Sequence, residues 1–198
     1  MLRSVFFSFF CLFTGVLHSQ DSSLVNALPS AFSKGWHTKA QFAGSIGFVS
    51  LGVGRSGKKL EADLWYGYVP KSLGGVVIHT ATAKLTWFPI KFTQVKSIAI
   101  RPLSIGSFVS YTPGSQYFLF DPEQYPFNYY GYPTALHVGL FAGGQISFSP
   151  KPVGRLNRWA LYYELGTTDV RLVSYFTNVG ALSPTDLFTL GLGIKRQF

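Results

Sequence analysis

DLFTLGLGIKRQF, residues 186–198, sets Phe188, Leu190, Leu192, Ile194 and Phe198 on one parity and Thr189, Gly191, Gly193, Lys195 and Gln197 on the other. A period of two belongs to a strand with one oily face and one small or polar face. Only Arg196 interrupts the oily row. An antiparallel sheet wetted on one side alternates in the same way, so the direction in which the oily face points has to be read from the rest of the chain.

The same period recurs upstream. The cleanest copy is LEADLWYGY, residues 60–68, with Leu60, Ala62, Leu64, Tyr66 and Tyr68 opposing Glu61, Asp63, Trp65 and Gly67. Beyond a turn at 70–75, residues 77–87 set Val77, Ala81, Ala83, Leu85 and Trp87 against Ile78, Thr80, Thr82, Lys84 and Thr86, with His79 on the oily parity near one end. Residues 98–112 switch parity at Pro102, which cannot donate a ladder bond and predicts a bulge. Residues 136–148 and 159–165 alternate cleanly, and 170–178 reads as a further strand after a GTTD turn. Residues 41–54, QFAGSIGFVSLGVG, also change parity, near Phe48, and read as one coiled, glycine-rich strand with a bulge.

These segments make eight strands, an even number, and predict an all-β fold; because the last strand ends on Phe198 and so resembles the close of Gram-negative outer-membrane barrels, the expectation is an eight-stranded antiparallel up-and-down transmembrane β-barrel of the outer-membrane type. One consequence is awkward. Counting back from residue 198 puts the longest loop, the proline-punctuated aromatic stretch 113–133, on the periplasmic side, where turns are short. Either a strand is hidden within residues 25–39 or the barrel has an unusual inner loop.

The N-terminus fits export. Residues 1–19 have a basic Arg3, an apolar run and a small residue before Gln20, as in a cleaved signal peptide. The run is shorter than the roughly 20 residues of a membrane helix, and Cys11, the one cysteine, lies inside it. The expected organisation is a signal at 1–19, a lead-in at 20–39 and a barrel domain at 40–198. Net charge is +9, with the basic residues scattered through turns and strand ends rather than along one groove. That scatter argues against nucleic acid and for either anionic head groups, at about 1 kcal/mol per basic residue near a charged surface, or ordinary solvated turns. Nineteen Phe, 11 Tyr and 4 Trp accompany no uninterrupted apolar run beyond the N-terminus that is long enough for a membrane helix, so entry into a bilayer would have to be by strands.

A barrel of eight strands has a lumen that side chains fill. The inward parity offers Glu61, Asp63, Lys84, Arg101, His137, Arg158, Tyr162 and Glu164 as an interior polar set. Buried charges need partners, so Glu61 and Asp63 are expected to pair with Lys84 and Arg101. The outward aromatics Tyr66, Tyr68, Trp87, Tyr111, Trp159 and Tyr163 suit interface girdles. No metal-ligand spacing, phosphate loop or nucleophile elbow is legible, and no cofactor is expected.

Two resemblances bear on function. A strand ending in Phe198 is similar to the closing strand of Gram-negative outer-membrane barrels, where it implies recognition by the barrel assembly machinery. The segment 174–178, Ser-Tyr-Phe-Thr-Asn, followed by Gly180, Leu182 and Pro184, resembles the last hairpin of the lipid A deacylase barrels, with RPLSIGSFVSY and residues 136–148 resembling the middle of that fold. That family implies a His-x-Ser-Asn motif with a glutamate on the last strand. Here Tyr175 stands for the histidine, Thr177 for the serine, and Asn178 is kept; tyrosine is a poor general base near neutral pH. GSIGF and EADLWYGYVP are similar in style to small outer-membrane proteins of the Bacteroidetes. The expected function is a non-enzymatic outer-membrane barrel, an envelope structural or interaction protein contacting lipopolysaccharide and an envelope protein partner. The alternatives are a divergent lipid A deacylase-like hydrolase using Tyr175, Thr177 and Asn178, and a small-solute channel.

Overall fold

The computed structural model describes residues 34–90, 93–95, 98–119, 133–148, 158–178 and 180–198. The signal segment 1–19, most of the lead-in and the middle of the aromatic loop, 120–132, lie outside them. The strands are β1 (Gly35–Ala43), β2 (Val49–Ser56), β3 (Leu60–Val69), β4 (Ile78–Trp87), β5 (Thr93–Val95), β6 (Ile98–Tyr111), β7 (Leu136–Phe148), β8 (Arg158–Thr168) and β9 (Thr189–Gln197).

All pairings are antiparallel. Eight strands form a ring in which β1 pairs with both β2 and β9, and β4 meets β6. β5 is a three-residue appendage on the start of β6. Closure leaves none of the eight ring strands with a free margin. Pro102 produces the bulge that its chemistry predicts: Arg101 pairs with Gln145 and Ser104 with Gly143, so two residues of β6 oppose one of β7.

Two sequence expectations are corrected, and the corrections compensate. Residues 41–54 are not one bulged strand. Ala43 and Gly44 adopt positive φ, 58° and 94°, and the Ala43 amide donates to the Phe48 carbonyl at 2.7 Å, so the parity change marks a hairpin between two strands. Residues 35–39, read as lead-in, are the first half of β1. Residues 170–178 are not a strand but most of helix α2 (Asp169–Thr177), which follows the one-turn helix α1 (Lys71–Gly74). β8 is already paired on both sides, with β7 and β9, so an extended segment leaving Thr168 has no place in the ring. Asp169 accepts from the Val170 amide at 2.8 Å and puts its charge where a helix N-terminus favours it.

The corrected order also resolves the loop paradox. Lys34 and Phe198 lie at one end of the barrel, here the proximal end, with the β2–β3 turn and β5. The β1–β2 turn, α1, the β6–β7 connection and α2 with the 3-10 turn Pro184–Leu187 all lie at the other, distal end. The long connection is therefore opposite the two ends of the described chain.

The strand faces are inverted relative to a water-soluble protein. Trp36, Leu51, Leu64, Leu85, Leu140, Leu161 and Leu192 point outward and are half to two-thirds exposed, reaching 66% at Leu64. Glu61, Asp63, Lys84, Arg101, Glu164 and Lys195 point inward and are buried. The outward tryptophans Trp36, Trp87 and Trp159 stand near the proximal ends of their strands, and Tyr66, Tyr68 and Tyr111 nearer the distal ends.

Candidate functional site

The interior is the only place where the described residues concentrate chemistry, and it is built from strand parity. His37, Lys39 and Gln41 on β1, Ser56 on β2, Glu61 and Asp63 on β3, Arg101 on β6 and Lys195 on β9 all belong to inward rows. Gly54 makes the space. A Cβ there would lie 2.7 Å from His37 Nε2 and would collide with Asp63.

Glu61 is the hub. One carboxylate oxygen meets the Lys195 ammonium, the Ser56 hydroxyl at 3.1 Å and Arg101 at 3.4 Å; the other accepts from Lys39 at 3.0 Å. Asp63 binds Lys39 at 2.8 Å with one oxygen and His37 Nε2 with the other. His37 Nδ1 lies 2.9 Å from Ser56 Oγ, and Lys195 donates to the same hydroxyl at 2.9 Å. Charge-assisted bonds of this kind are the strong ones, and each carboxylate oxygen has at least one such partner.

A second ion pair lies between the first cluster and the distal mouth. Lys84 meets Glu164 across the lumen, with its ammonium 4.2 Å from the Phe141 ring centroid and 5.3 Å from that of Trp65, a cation–π arrangement. The interior aromatics are seated on glycines of the neighbouring strand, directly in register. Trp65 sits opposite Gly52, Phe141 opposite Gly106, Phe108 opposite Gly139 and Tyr162 opposite Gly193. Ring over bare backbone is how a narrow lumen accommodates large side chains.

Both mouths are stoppered. At the distal end the β1–β2 turn folds Ile46 inward to 2% exposure, and its carbonyl accepts from Thr80 at 2.6 Å. At the proximal end buried Phe88 stacks 4.0 Å from the Arg101 guanidinium. A void of about 10 Å³ remains beside Gln41, Lys84 and Glu164, room for about one water.

The sequence-predicted residues fall into three groups. Glu61 is the hub, Asp63 and Arg101 are members of its cluster, and Tyr162 lies beside it, its ring centroid 5.7 Å from the Lys39 ammonium and its hydroxyl donating to Gln41 at 3.2 Å. Lys84 and Glu164 form the separate pair, so the carboxylate facing Lys84 is Glu164 rather than Glu61 or Asp63. His137 and Arg158 stand at opposite ends of the lumen; His137 Nδ1 is 3.3 Å from Asp169 at the distal rim, and Arg158 is half-buried at the proximal one. Tyr175, Thr177 and Asn178 are at the end of α2. Thr177 donates to the Val173 carbonyl at 2.8 Å and Asn178 to the Ser174 carbonyl at 3.0 Å, while Tyr175 packs edge-on to Phe176. These are helix-end bonds, and among the described residues the Thr177 hydroxyl meets only the Val173 and Ser174 carbonyls and the Asn178 amide.

Sequence reasoning missed His37, Lys39, Ser56 and Lys195 as members of the cluster. The signal was present: Trp36, Thr38, Ala40 and Phe42 oppose His37, Lys39 and Gln41 in the same period as residues 60–68. Lys195 shares its parity with Gly191 and Gly193, whose inward face was already legible.

Two chemical readings of the cluster can be tested on its geometry. His37, Glu61 and Asp63 bring ligand atoms within 4.8 Å of one another, but the ammoniums of Lys39 and Lys195 hold the carboxylates, and a divalent ion would have to displace them. Ser56, His37 and Asp63 are linked in the order of a nucleophile, base and orienting acid. Neither the void beside Lys84 nor the outer-wall depression described below is lined by Ser56 or His37, and the hydroxyl is already engaged by Lys195 and Glu61. The arrangement is a densely bonded polar cluster, and such a network stiffens as its members are satisfied; Ser50, Trp65 and Thr86 in the same interior each keep a buried polar atom without a hydrogen bond among the described residues.

No protein-family model matches the chain, and no curated protein matches it.

Proposed function

We propose that the protein is a non-enzymatic integral barrel of the Gram-negative outer membrane, an envelope structural or interaction protein. The observation that supports this most strongly is the inversion of the strands: a closed sheet with an oily exterior and an ion-paired interior suits hydrocarbon, where every backbone group must be bonded internally. Dimensions agree. A ten-residue strand such as β3 or β4 at about 3.4 Å per residue and a tilt of about 40° rises about 25 Å, the height of an outer-membrane apolar band. Tryptophans toward one end of the wall and tyrosines toward the other are what interface girdles require.

In this reading the proximal end faces the periplasm and the distal end, with its longer connections, faces outward. Lys71 and Arg171 stand at the distal end and are the described basic residues available to lipopolysaccharide phosphates. An envelope protein partner would also meet that rim. The resemblance to the lipid A deacylase barrels contributes fold style and no activity, because Tyr175, Thr177 and Asn178 make helix-end bonds.

Membrane fractionation together with heat-modifiable gel migration tests the reading. The expected result is recovery with outer membranes and a compact band that shifts on boiling. A freely soluble pool lacking that shift would refute it.

A further inference from the structure

The outer wall is not uniformly bulky. On three strands adjacent in the ring, β3, β4 and β6, the outward residues Ala62, Ala83 and Ser107 are small, and they leave a depression of about 470 Å³ walled by larger residues such as Trp36 and Leu64. The volume lies within the roughly 300–1,000 Å³ of small-molecule sites, and the lining is overwhelmingly apolar. In the register Ala62 and Ser107 flank Leu85 in one row, and Ala83 lies between Leu64 and Val109 in the next, so the three small residues alternate with larger ones that also line the depression.

Three charged residues border the depression. Asp63 and Lys84 belong to the buried interior, and Arg55 alone is exposed. Arg55 pairs with Ala62 across β2–β3, has no ion-pair partner among the described residues, and lies just before the proximal turn that carries exposed Lys58 and Lys59. An exposed guanidinium at one end of an oily groove, with two exposed lysines three and four residues further along the chain in the adjoining turn, is complementary to an amphiphile with an acidic head and an apolar tail. Guanidinium matches phosphate oxygens bidentately.

We propose that this depression is the seat of one anionic diacyl phospholipid, its acyl chain over Ala62, Ala83 and Ser107 and its phosphate at Arg55 with Lys58 and Lys59. The inference rests on the membrane reading above and adds a ligand class and a leaflet to it. The basic cluster is proximal, so the lipid comes from the periplasmic leaflet and not from lipopolysaccharide. A second copy of the chain is a poorer occupant. Its described acidic side chains, Glu61, Asp63, Glu164, Asp169 and Asp186, lie in the interior or at the distal end, so none reaches Arg55.

The test is native mass spectrometry of the full chain in detergent micelles, offered phosphatidylglycerol or phosphatidylethanolamine with identical acyl chains. Heat-modifiable migration of the same sample reports whether the barrel has formed. The expected result is one retained phosphatidylglycerol per barrel, with phosphatidylethanolamine held several-fold less. Arg55→Gln lowers phosphatidylglycerol retention about fivefold, ~1 kcal/mol, the contribution of one basic residue near an anionic surface. Ala83→Phe, which fills the groove, removes both lipids; Ala62→Leu serves the same purpose if Ala83→Phe does not form the heat-modifiable band. Equal retention of the two lipids, unchanged binding when the groove is filled, or a lipid-free dimer abolished by filling it would each overturn the proposal while leaving the membrane reading intact. A wild-type chain with no heat-modifiable band would instead overturn the membrane reading itself.

Discussion

Glu61 carries more of the interior than any other side chain, since Lys39, Lys195, Arg101 and Ser56 all meet its carboxylate. Removing that carboxylate alone takes away the carboxylate contact of buried Lys195 and one such contact each from Lys39, which keeps Asp63, and from Arg101. Glu61→Leu should therefore destabilise the barrel by about 3–5 kcal/mol, read as a lowered midpoint for heat-modifiable gel migration. The Lys84–Glu164 pair allows the complementary experiment. Glu164→Leu alone should cost a similar amount, whereas Lys84→Met combined with Glu164→Leu should return stability to within about 1 kcal/mol of wild type or above it, because a hydrophobic replacement of a whole buried pair is often neutral or better. If the double variant is as unstable as the single one, the pair has a role beyond mutual neutralisation. The inward positions of Glu61, Asp63, Lys84 and Glu164 were legible from parity. Of their expected partners, Arg101 beside Glu61 is found, but Lys84 meets Glu164 instead: parity gives the face of each strand, while the partner across a lumen depends on ring closure and stagger, which no local pattern encodes.

At the scale of elements, the legible pieces were those with an unbroken period, β3, β4, β7 and β9, and the bulge at Pro102. The failures have local causes. The β1–β2 hairpin turns on Ala43 and Gly44 in the left-handed region, a conformation whose only trace in the sequence is a glycine among several. Gly44→Val should cost about 1–2 kcal/mol from backbone strain alone, whereas Gly57→Ala, in the proximal turn and without positive φ, should cost less; the same gel-shift midpoint measures both. Helix α2 deceived because Val170, Leu172, Val173, Tyr175 and Phe176 are good strand residues, and the decision was made by β8 having no vacant neighbour. Since Tyr175 and Thr177 make only edge-on and helix-end contacts, Tyr175→Phe and Thr177→Ala should leave both folding and the lipid A acylation pattern of the cell unchanged, measured by mass spectrometry of extracted lipid A. A change in acylation would revive the hydrolase reading.

For the molecule as a whole, the filled lumen is the decisive feature. Ile46 and Phe88 stopper the two mouths, and the interior aromatics occupy the space between them, so planar-bilayer recordings of the purified protein should show no conductance steps. Regular channel openings would contradict the side-chain packing directly. The barrel architecture was legible because inversion of the two faces is repeated in every strand, and the count of eight came out right through two errors of opposite sign.

Ring closure has a further consequence for biogenesis. Phe42 lies beside Leu192 and His37 beside Gln197, contacts between positions about 150 residues apart, among the most distant in the described chain. Ribosomes make β1 first and β9 last, so the clasp cannot fasten until synthesis has passed residue 190. Until then β1 and the newest strand each have one unpaired, adhesive edge, and pairing at such separation is slow. A chain of this design presents two such edges throughout that interval, so its yield should depend on how well they are kept from pairing with other copies as well as on the stability of the finished barrel.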